Sequence, residues 1–431
     1  MSNLDSESSS LAIEGGTDST LIGNVGDRLK TDASLSSTGN GITFADDSIL
    51  CPFDRMRVSN PTTLFQDTHR AGKGEEFWDE VIAGSATSTH NSDTVSIEMD
   101  VTSATGDKVT RATHRYFHYS PGKGQLIFFT STFGAGVAGV KKCVGYFDEL
   151  DGLFFKLDGT TAKVVKRSST SGSAVDTEVS QASWDDPMDG TGASGITLDL
   201  TKKQIFIIDL QWLGSGEARF GFSIAGKTHY CHTMNFSNVI TVPYMTSGSL
   251  PLRAEIENVS AIAASELIVT CFTVISEGGN AQKGFTRTLD TGTTELTINA
   301  TEAIYMGLRL RSAFTRFSIQ ALAFDVLMSA GNNPTRFRVL LNPTITTPSW
   351  SDVPGLGQAL DSSAGFSGGT VLASGYVNTG AAKQISGNDI VSNDIFLGRD
   401  IGDTPDELVL TLQTLGGTSK ALISGSYREF V

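Results

Sequence analysis

The chain is poor in charge, in clustered cysteine and in long apolar runs, and each shortage removes a class of function. Charged residues make up only 18% of the 431 positions, and 47 acidic against 32 basic side chains leave a formal charge of -15. A protein that wraps nucleic acid needs clustered Lys and Arg to neutralise phosphate, so that partner is not expected. Short basic groups at residues 163–167 and 309–316 read as strand edges or subunit pairing, because alternation along a strand divides them between two faces. The four cysteines, Cys51, Cys143, Cys231 and Cys271, contain no CxxC pair, which argues against a zinc ribbon or a disulfide framework and predicts reduced core thiols. After Met1 the chain is polar and acidic, without the cationic start and apolar segment of a secretion signal. The longest apolar region, near residues 267–275, is too short to span a bilayer, so no membrane insertion is expected.

What is present instead is Gly, Ser, Thr and Val. Forty-six glycines and few stretches of Ala, Glu, Lys and Leu point to many strands joined by tight turns. The length exceeds what one core usually supports, and predicts two domains plus an arm. Residues 1–50 hold eight acids against two bases and almost no aromatics, a composition that does not bury enough surface to order itself alone. Small apolar patches there, Leu11 and Ile13, Leu21 and Ile22, then Val25 and Leu29, are the candidate anchoring residues through which an extended arm adds to a neighbouring chain.

Residues 51–277 read as a jelly-roll-like antiparallel β-sandwich. Residues 115–119 and 125–130 flank a Pro-Gly turn and predict a hairpin, residues 144–147 and 153–157 a second, and residues 219–224 and 228–232 a third about Ala225-Gly226-Lys227. The apolar run 205–212 suits a strand covered on both faces. After the Gly-rich joint at 276–280, residues 278–431 predict a second β-sandwich, with residues 317–328 ambiguous between strand and helix and residues 343–380 reading as loop.

Chemical motifs are few. Gly221-Phe222-Ser223-Ile224-Ala225-Gly226-Lys227-Thr228 matches a phosphate loop by letters, but its context alternates as a strand where a helix is required. Gly365-Phe366-Ser367-Gly368-Gly369 matches a nucleophile elbow without the preceding strand or a later histidine. His229, Cys231 and His232 are metal ligands by type, yet in a regular strand they divide between two faces and converge only if a bulge intervenes. His114 and His118 have ligand-pair spacing but no third member. The acidic loops at 148–152 and 185–190 lack the ordered spacing of a calcium loop and are explained as turns. Paired carboxylates for glycoside cleavage are defined by separation in space, so sequence leaves that reading open. No catalytic, cofactor or metal residue is therefore assigned, and no cofactor is expected.

Several stretches resemble structural proteins of tailed bacteriophages: Val144-Gly145-Tyr146-Phe147-Asp148, Leu198-Asp199-Leu200-Thr201-Lys202, Ile208-Asp209-Leu210-Gln211-Trp212-Leu213-Gly214 and Phe220-Gly221-Phe222. The opening Ile22-Gly23-Asn24-Val25-Gly26-Asp27 and the ending Ser426-Tyr427-Arg428-Glu429-Phe430 are similar to the same group. The resemblance implies a non-enzymatic virion protein of tail, baseplate or neck, assembled in the host cytoplasm. It also implies a homo-oligomer, commonly a trimer, whose partners are its own copies and other phage virion proteins. The alternatives are a capsid-attached decoration or head-fibre protein, and an adhesin for host surface polysaccharide. In the adhesin Trp184, Tyr244 and Trp350 are the candidate carbohydrate contacts. A depolymerase ranks last, since the long repeats of a parallel β-helix are missing.

Overall fold

The computed structural model describes residues 33–35, 42–44, 50–51, 60–260, 263–278, 284–314, 316–362, 365–378, 382–386 and 396–430. The chain divides into two compact units, residues 1–58 and 59–431. In the first, Ala33–Leu35 pairs antiparallel with Ile42–Phe44. The anchoring candidates Leu11, Ile13, Leu21, Ile22, Val25 and Leu29 lie outside the described residues.

The second unit is antiparallel β throughout, with only two three-residue 3₁₀ turns among its described residues. Its first sandwich has a seven-stranded sheet ordered Val175–Ser180, Thr161–Ser168, Gly152–Asp158, Val140–Phe147, Leu252–Asn258, Lys108–Thr113 and Trp78–Ala83. Facing it is an eight-stranded sheet that runs from Lys227–Asn235 through Glu217–Ile224, Gln204–Leu210, Gln125–Thr132, Ser265–Ser276 and Ser96–Val101 to Thr87–Asn91. Thr62–Asp67 completes it by pairing with Ser265–Ser276. The chain passes repeatedly from one sheet to the other, which makes the sandwich jelly-roll-like. Inward residues recur every second position, as the pleat requires, and Gln125–Thr132 alternates buried and half-buried along its whole length. The inward rings interlock: Phe129 stacks on Phe206 at 4.9 Å, and Phe155 meets Phe206 and Phe220 edge-on at 5.0 and 5.4 Å.

Two six-stranded sheets form the second sandwich. One is built on Ser318–Ala330 and Ser419–Phe430, the other on Ala303–Leu310, Glu407–Thr414 and Thr335–Leu341. Its apolar core, from Leu289 to Tyr427, shares no residue with that of the first sandwich.

Local expectations fare unevenly. Of residues 317–328, all but Phe317 are strand, within Ser318–Ala330, because long-range pairing on both sides outweighs the helix-compatible Gln, Ala and Leu. The hairpin at 219–232 forms, and its turn residues Ala225 and Gly226 both have positive φ, 52° and 78°, as a tight two-residue hairpin turn demands. The hairpin at 115–130 does not form. Phe117 bridges to Leu250 while Gln125–Thr132 joins the other sheet, so this segment is a crossover whose ring anchors it between layers. Residues 343–380 are not a loop but carry five short strands, from Thr344–Thr346 to Thr370–Val377.

Residues 181–200 lie along one side of the first sandwich. Trp184 Nε1 donates to the Val179 carbonyl at 3.0 Å, on the outermost strand of the seven-stranded sheet. Asp186 N donates to the Cys231 carbonyl at 3.0 Å, and Thr233 N donates to Asp185 Oδ2 at 2.8 Å, on the outermost strand of the other sheet. At the opposite side of the seven-stranded sheet, Trp78–Ala83 exposes Val81 and Ile82, each 45% accessible.

Candidate functional site

The outer face of the seven-stranded sheet carries alternating charge set by strand register. Asp158 lies opposite Lys141, Lys141 opposite Glu257, and Glu257 opposite Lys108, a row of alternating sign across four strands. Two residues along, the row reads Lys156, Cys143, Glu255, Thr110, and the next reads Phe154, Gly145, Arg253, Ala112. Each strand delivers its charges at every second position, which puts them all on one face. Arg253, Glu255 and Glu257 share that face for this reason.

Beneath the charges sits a small apolar patch of Cys143, Phe147, Phe154 and Val165. The Arg167 guanidinium lies 5.1 Å from the Phe154 ring centre and the Arg253 guanidinium 5.6 Å from that of Phe147. A guanidinium stacks its weakly hydrated face on a ring while its edge donates to carboxylates, so the cations roof the rings and remain available to acids. Gly145 is required here, since a Cβ would lie 2.5 Å from the Leu153 carbonyl oxygen and 2.6 Å from Phe154.

These side chains enclose an open basin of about 550 Å³, whose lining includes Lys108, Lys141, Lys156, Arg167 and Arg253, with Glu149, Asp176, Glu255 and Glu257. Most are paired within the chain. Arg167 Nε donates to Asp176 at 2.8 Å, Lys156 Nζ to Glu178 at 2.6 Å, Arg253 Nη1 to Glu149 at 2.5 Å, and Lys108 lies 3.5 Å from Glu257. Arg253 also pairs with Glu255. Lys141 is the lining cation with no carboxylate in ion-pair range among the described residues. Burial works against ionisation of Glu149, but the guanidinia of Arg253 and Arg399 outweigh it and hold the carboxyl at about 2. Burial pushes the Cys143 thiol up, away from nucleophilic character.

Glu149 also belongs to a polar clasp that joins the two sandwiches. Its second oxygen accepts from Arg399 Nη2 at 2.9 Å, and Arg399 Nε reaches the Tyr116 hydroxyl at 3.0 Å. Arg316, from the second sandwich, makes a two-pronged contact to Asp148 at 2.6 and 3.1 Å and a third bond to Asp151 at 2.9 Å. Asp148 and Asp151 are 1% and 0% exposed. Ser318 Oγ accepts from Tyr116 N at 3.3 Å and donates to Tyr116 O at 3.1 Å, replacing a backbone partner. His114 Nδ1 lies 3.1 Å from the buried Asp406 carboxylate, and Arg399 N donates to His114 O at 3.2 Å. Burial disfavours the charged ring of His114, but Asp406, Asp79 and Asp400 together raise its pKa above the ordinary histidine value. Gly398 permits this approach, because a Cβ there would overlap the His114 carbonyl oxygen.

The residues singled out from sequence fall elsewhere. Trp184 and Tyr244, 5% and 2% exposed, are core residues, so neither is presented to a sugar. The indole N–H of Trp184 and the hydroxyl of Tyr244 are used internally, on Val179 O and Gln211 O. Trp350 is half-buried on the second sandwich, 4.3 Å beneath the Arg309 guanidinium, far along the chain from the other two and not in the basin lining. A bulge opposite Phe220 and Gly221 does interrupt the strand of His229, Cys231 and His232, yet His232 approaches Asp185 at 3.2 Å while Cys231 is wholly buried. His114 and His118 diverge, the latter packing 6.0 Å from the Phe430 ring. Among the described residues no group of three His, Cys, Asp or Glu is arranged to hold a metal ion. Gly221 to Thr228 is the hairpin, and Ser367 ends the short strand Gly365–Ser367 paired to Thr344–Thr346. The acidic loop at 148–152 proves to be the seat of Arg316. Sequence reading passed over Lys141, Arg253 and Glu257, and took Glu149 only as part of an acidic turn. The one local signal for them is the alternation of charged and apolar residues from Leu252 to Asn258.

No family model matches the chain, and no curated protein matches it. Among solved structures, an engineered GH43 glycoside hydrolase aligns with 50% of this chain at 12% identity and a TM-score of 0.32. Only 41% of that enzyme is covered, so the chain spans less than half of it. A glycosyl hydrolase family protein from Mycobacterium fortuitum aligns over 49% of this chain and 99% of its own at 11% identity and a TM-score of 0.36. A legume lectin-like domain from Entamoeba histolytica aligns over 50% and 98% at 10% identity and a TM-score of 0.31. At these scores no residue, ligand or reaction carries over from them to this chain.

Proposed function

We propose that this chain is a non-enzymatic structural protein of a tailed-phage virion, a tail, baseplate or neck component. It docks through residues 1–50, assembles with its own copies, as a trimer in the simplest case, and holds its two sandwiches outward. The observation that carries the reading is the clasp. Two separate apolar cores are joined by mutually paired charges, the buried Asp148 and Asp151 with the half-buried Arg316, and the buried Arg399 with the more exposed Glu149. Such pairs add little net stability over apolar contacts but tolerate one orientation, which suits a part that transmits position. The resemblance to phage structural chains points the same way.

The chemistry of the basin supports holding a ligand over cleaving one. Glycoside cleavage needs a carboxyl group that keeps its proton near neutrality, whereas burial of Glu149 is outweighed by Arg253 and Arg399, which hold it at about 2. A second reading, an adhesin for host surface polysaccharide, is favoured by the open basin itself.

The test uses particles that lack the protein. The full chain and a chain without residues 1–50 are measured by light scattering and then mixed with those particles. The proposal expects an oligomer that docks when complete and a folded chain that stays in solution when truncated. A monomer that docks in neither form defeats it, and shortening of host polysaccharide on incubation establishes the depolymerase instead.

A further inference from the structure

We propose that the basin on the seven-stranded sheet binds a carboxylate-bearing polysaccharide, with Lys141 taking the sugar carboxylate and the rim carboxylates, Glu257 foremost, accepting its hydroxyls. The inference rests on the adhesin reading above and supplies its ligand class.

Charge is the first argument. The chain as a whole carries -15, yet five cations line the basin, and with Lys156 held by Glu178 and the others by lining carboxylates it is the charge of Lys141 that is left to draw an anion. Lys141 is the point of contact because the other lining cations already hold carboxylates, and it stands between Asp158 and Glu257 in the cross-strand row.

The second argument is the mixture of groups. A ligand seated on Lys141 must satisfy one ammonium while meeting acceptor oxygens on both sides. A sugar ring with one carboxylate does this, since its hydroxyls donate to Glu257, the cross-strand neighbour of Lys141, as its carboxylate accepts from Lys141. A phosphate diester presents no donors to those acids, and a dianion is repelled by them, so nucleic acid and free phosphate fit less well. Size agrees: about 550 Å³ is within the usual range for small-ligand sites and accommodates a short stretch of sugar rings. The roof is preorganised, because Arg167 and Arg253 are pinned between aromatic rings and carboxylates and need not be ordered by the ligand.

Calorimetric titration of the full chain tests this with an oligomer of galacturonic acid, an oligomer of sialic acid, neutral maltohexaose, inorganic phosphate and single-stranded oligothymidylate. At least one acidic sugar is expected to bind, more weakly in high salt, while maltohexaose does not. Lys141→Gln is expected to lower that affinity about tenfold, the loss of one charge-assisted contact, and Lys141→Arg to retain most of it. Lys420→Gln, a surface change on the other sandwich, serves as the control. Binding of neither acidic sugar, equal binding of maltohexaose, tighter binding of phosphate or oligothymidylate, or no effect of Lys141→Gln overturns the proposal. Particle docking of Lys141→Gln separates the two readings. Lost sugar binding with intact docking is the result expected of this variant. Intact sugar binding by a wild-type chain that fails to dock defeats only the structural reading.

Discussion

Replacing Arg316 by Met removes the one cation that, among the described residues, pairs with the two buried carboxylates Asp148 and Asp151. Asp148 and Asp151 lose three bonds of 2.6, 3.1 and 2.9 Å. Breaking a fully buried ion pair by removing one partner costs about 3–5 kcal/mol. Here the carboxylates keep other donors: Leu150 N and Asp151 N at 2.8 Å each on Asp148, and Ser169 N at 3.1 Å with Thr246 N at 2.9 Å on Asp151. Arg316 itself keeps 22% of its side chain exposed, which weakens the pair further. The loss therefore falls to about 2–3 kcal/mol. Urea unfolding followed by tryptophan fluorescence reads it well, since Trp78, Trp184 and Trp212 report the first sandwich and Trp350 the second. Arg316→Met is expected to lower the midpoint and to separate the two transitions. Adding Asp148→Asn, which removes the stranded charge, is expected to restore part of the loss. A change below about 0.5 kcal/mol, or a double variant no better than the single one, refutes the assignment of the clasp as a buried charge pair.

The His114 and Asp406 pair makes stability depend on pH in a defined sense. His114 is raised above 6.5, so its contribution is complete below that pH and is lost as pH rises through the raised value. Asp406 is lowered from 3.8, so its contribution is complete above that pH and lost only as pH falls through the lowered value. The destabilisation caused by His114→Gln, measured by urea unfolding from pH 5 to pH 9, should shrink as pH rises, and a constant difference counts against the pair. Trp184→Ala should cost about 3–5 kcal/mol in unfolding free energy and leave sugar affinity unchanged; altered affinity with intact folding would return Trp184 to the ligand contacts. Ala225→Asn should stabilise the fold by about 0.5–1 kcal/mol, read as a slightly higher melting temperature, because Asn adopts positive φ in a two-residue hairpin turn more readily than Ala.

The parts legible in sequence are the local ones. The hairpins about Ala225-Gly226 and between Val140–Phe147 and Gly152–Asp158 follow from short turns between alternating segments, and both sit where expected. The basin was not legible, because its rows depend on Val140–Phe147 lying beside Leu252–Asn258, a pairing that no turn dictates. Composition drew notice to the acidic loop at 148–152, but its partner Arg316 lies 168 residues beyond Asp148, too far for any spacing rule. Trp184 and Tyr244 failed as surface contacts because an aromatic residue in a loop carries the same letters whether it plugs a core or faces water. What decides is whether its polar tip finds an internal acceptor, and here Val179 O and Gln211 O provide one.

The segment at 181–200 occupies backbone groups at the end of both sheets on the same side of the first sandwich. A sheet edge with free N–H and C=O groups is a template for further strands, and capping one side leaves growth in a single direction. Any strand contributed by another chain to the seven-stranded sheet is therefore steered to Trp78–Ala83, where Val81 and Ile82 stand open to receive it. Such polarity matters because a sheet that is extendable at both ends propagates into fibres whereas one closed at an end stops after a single addition.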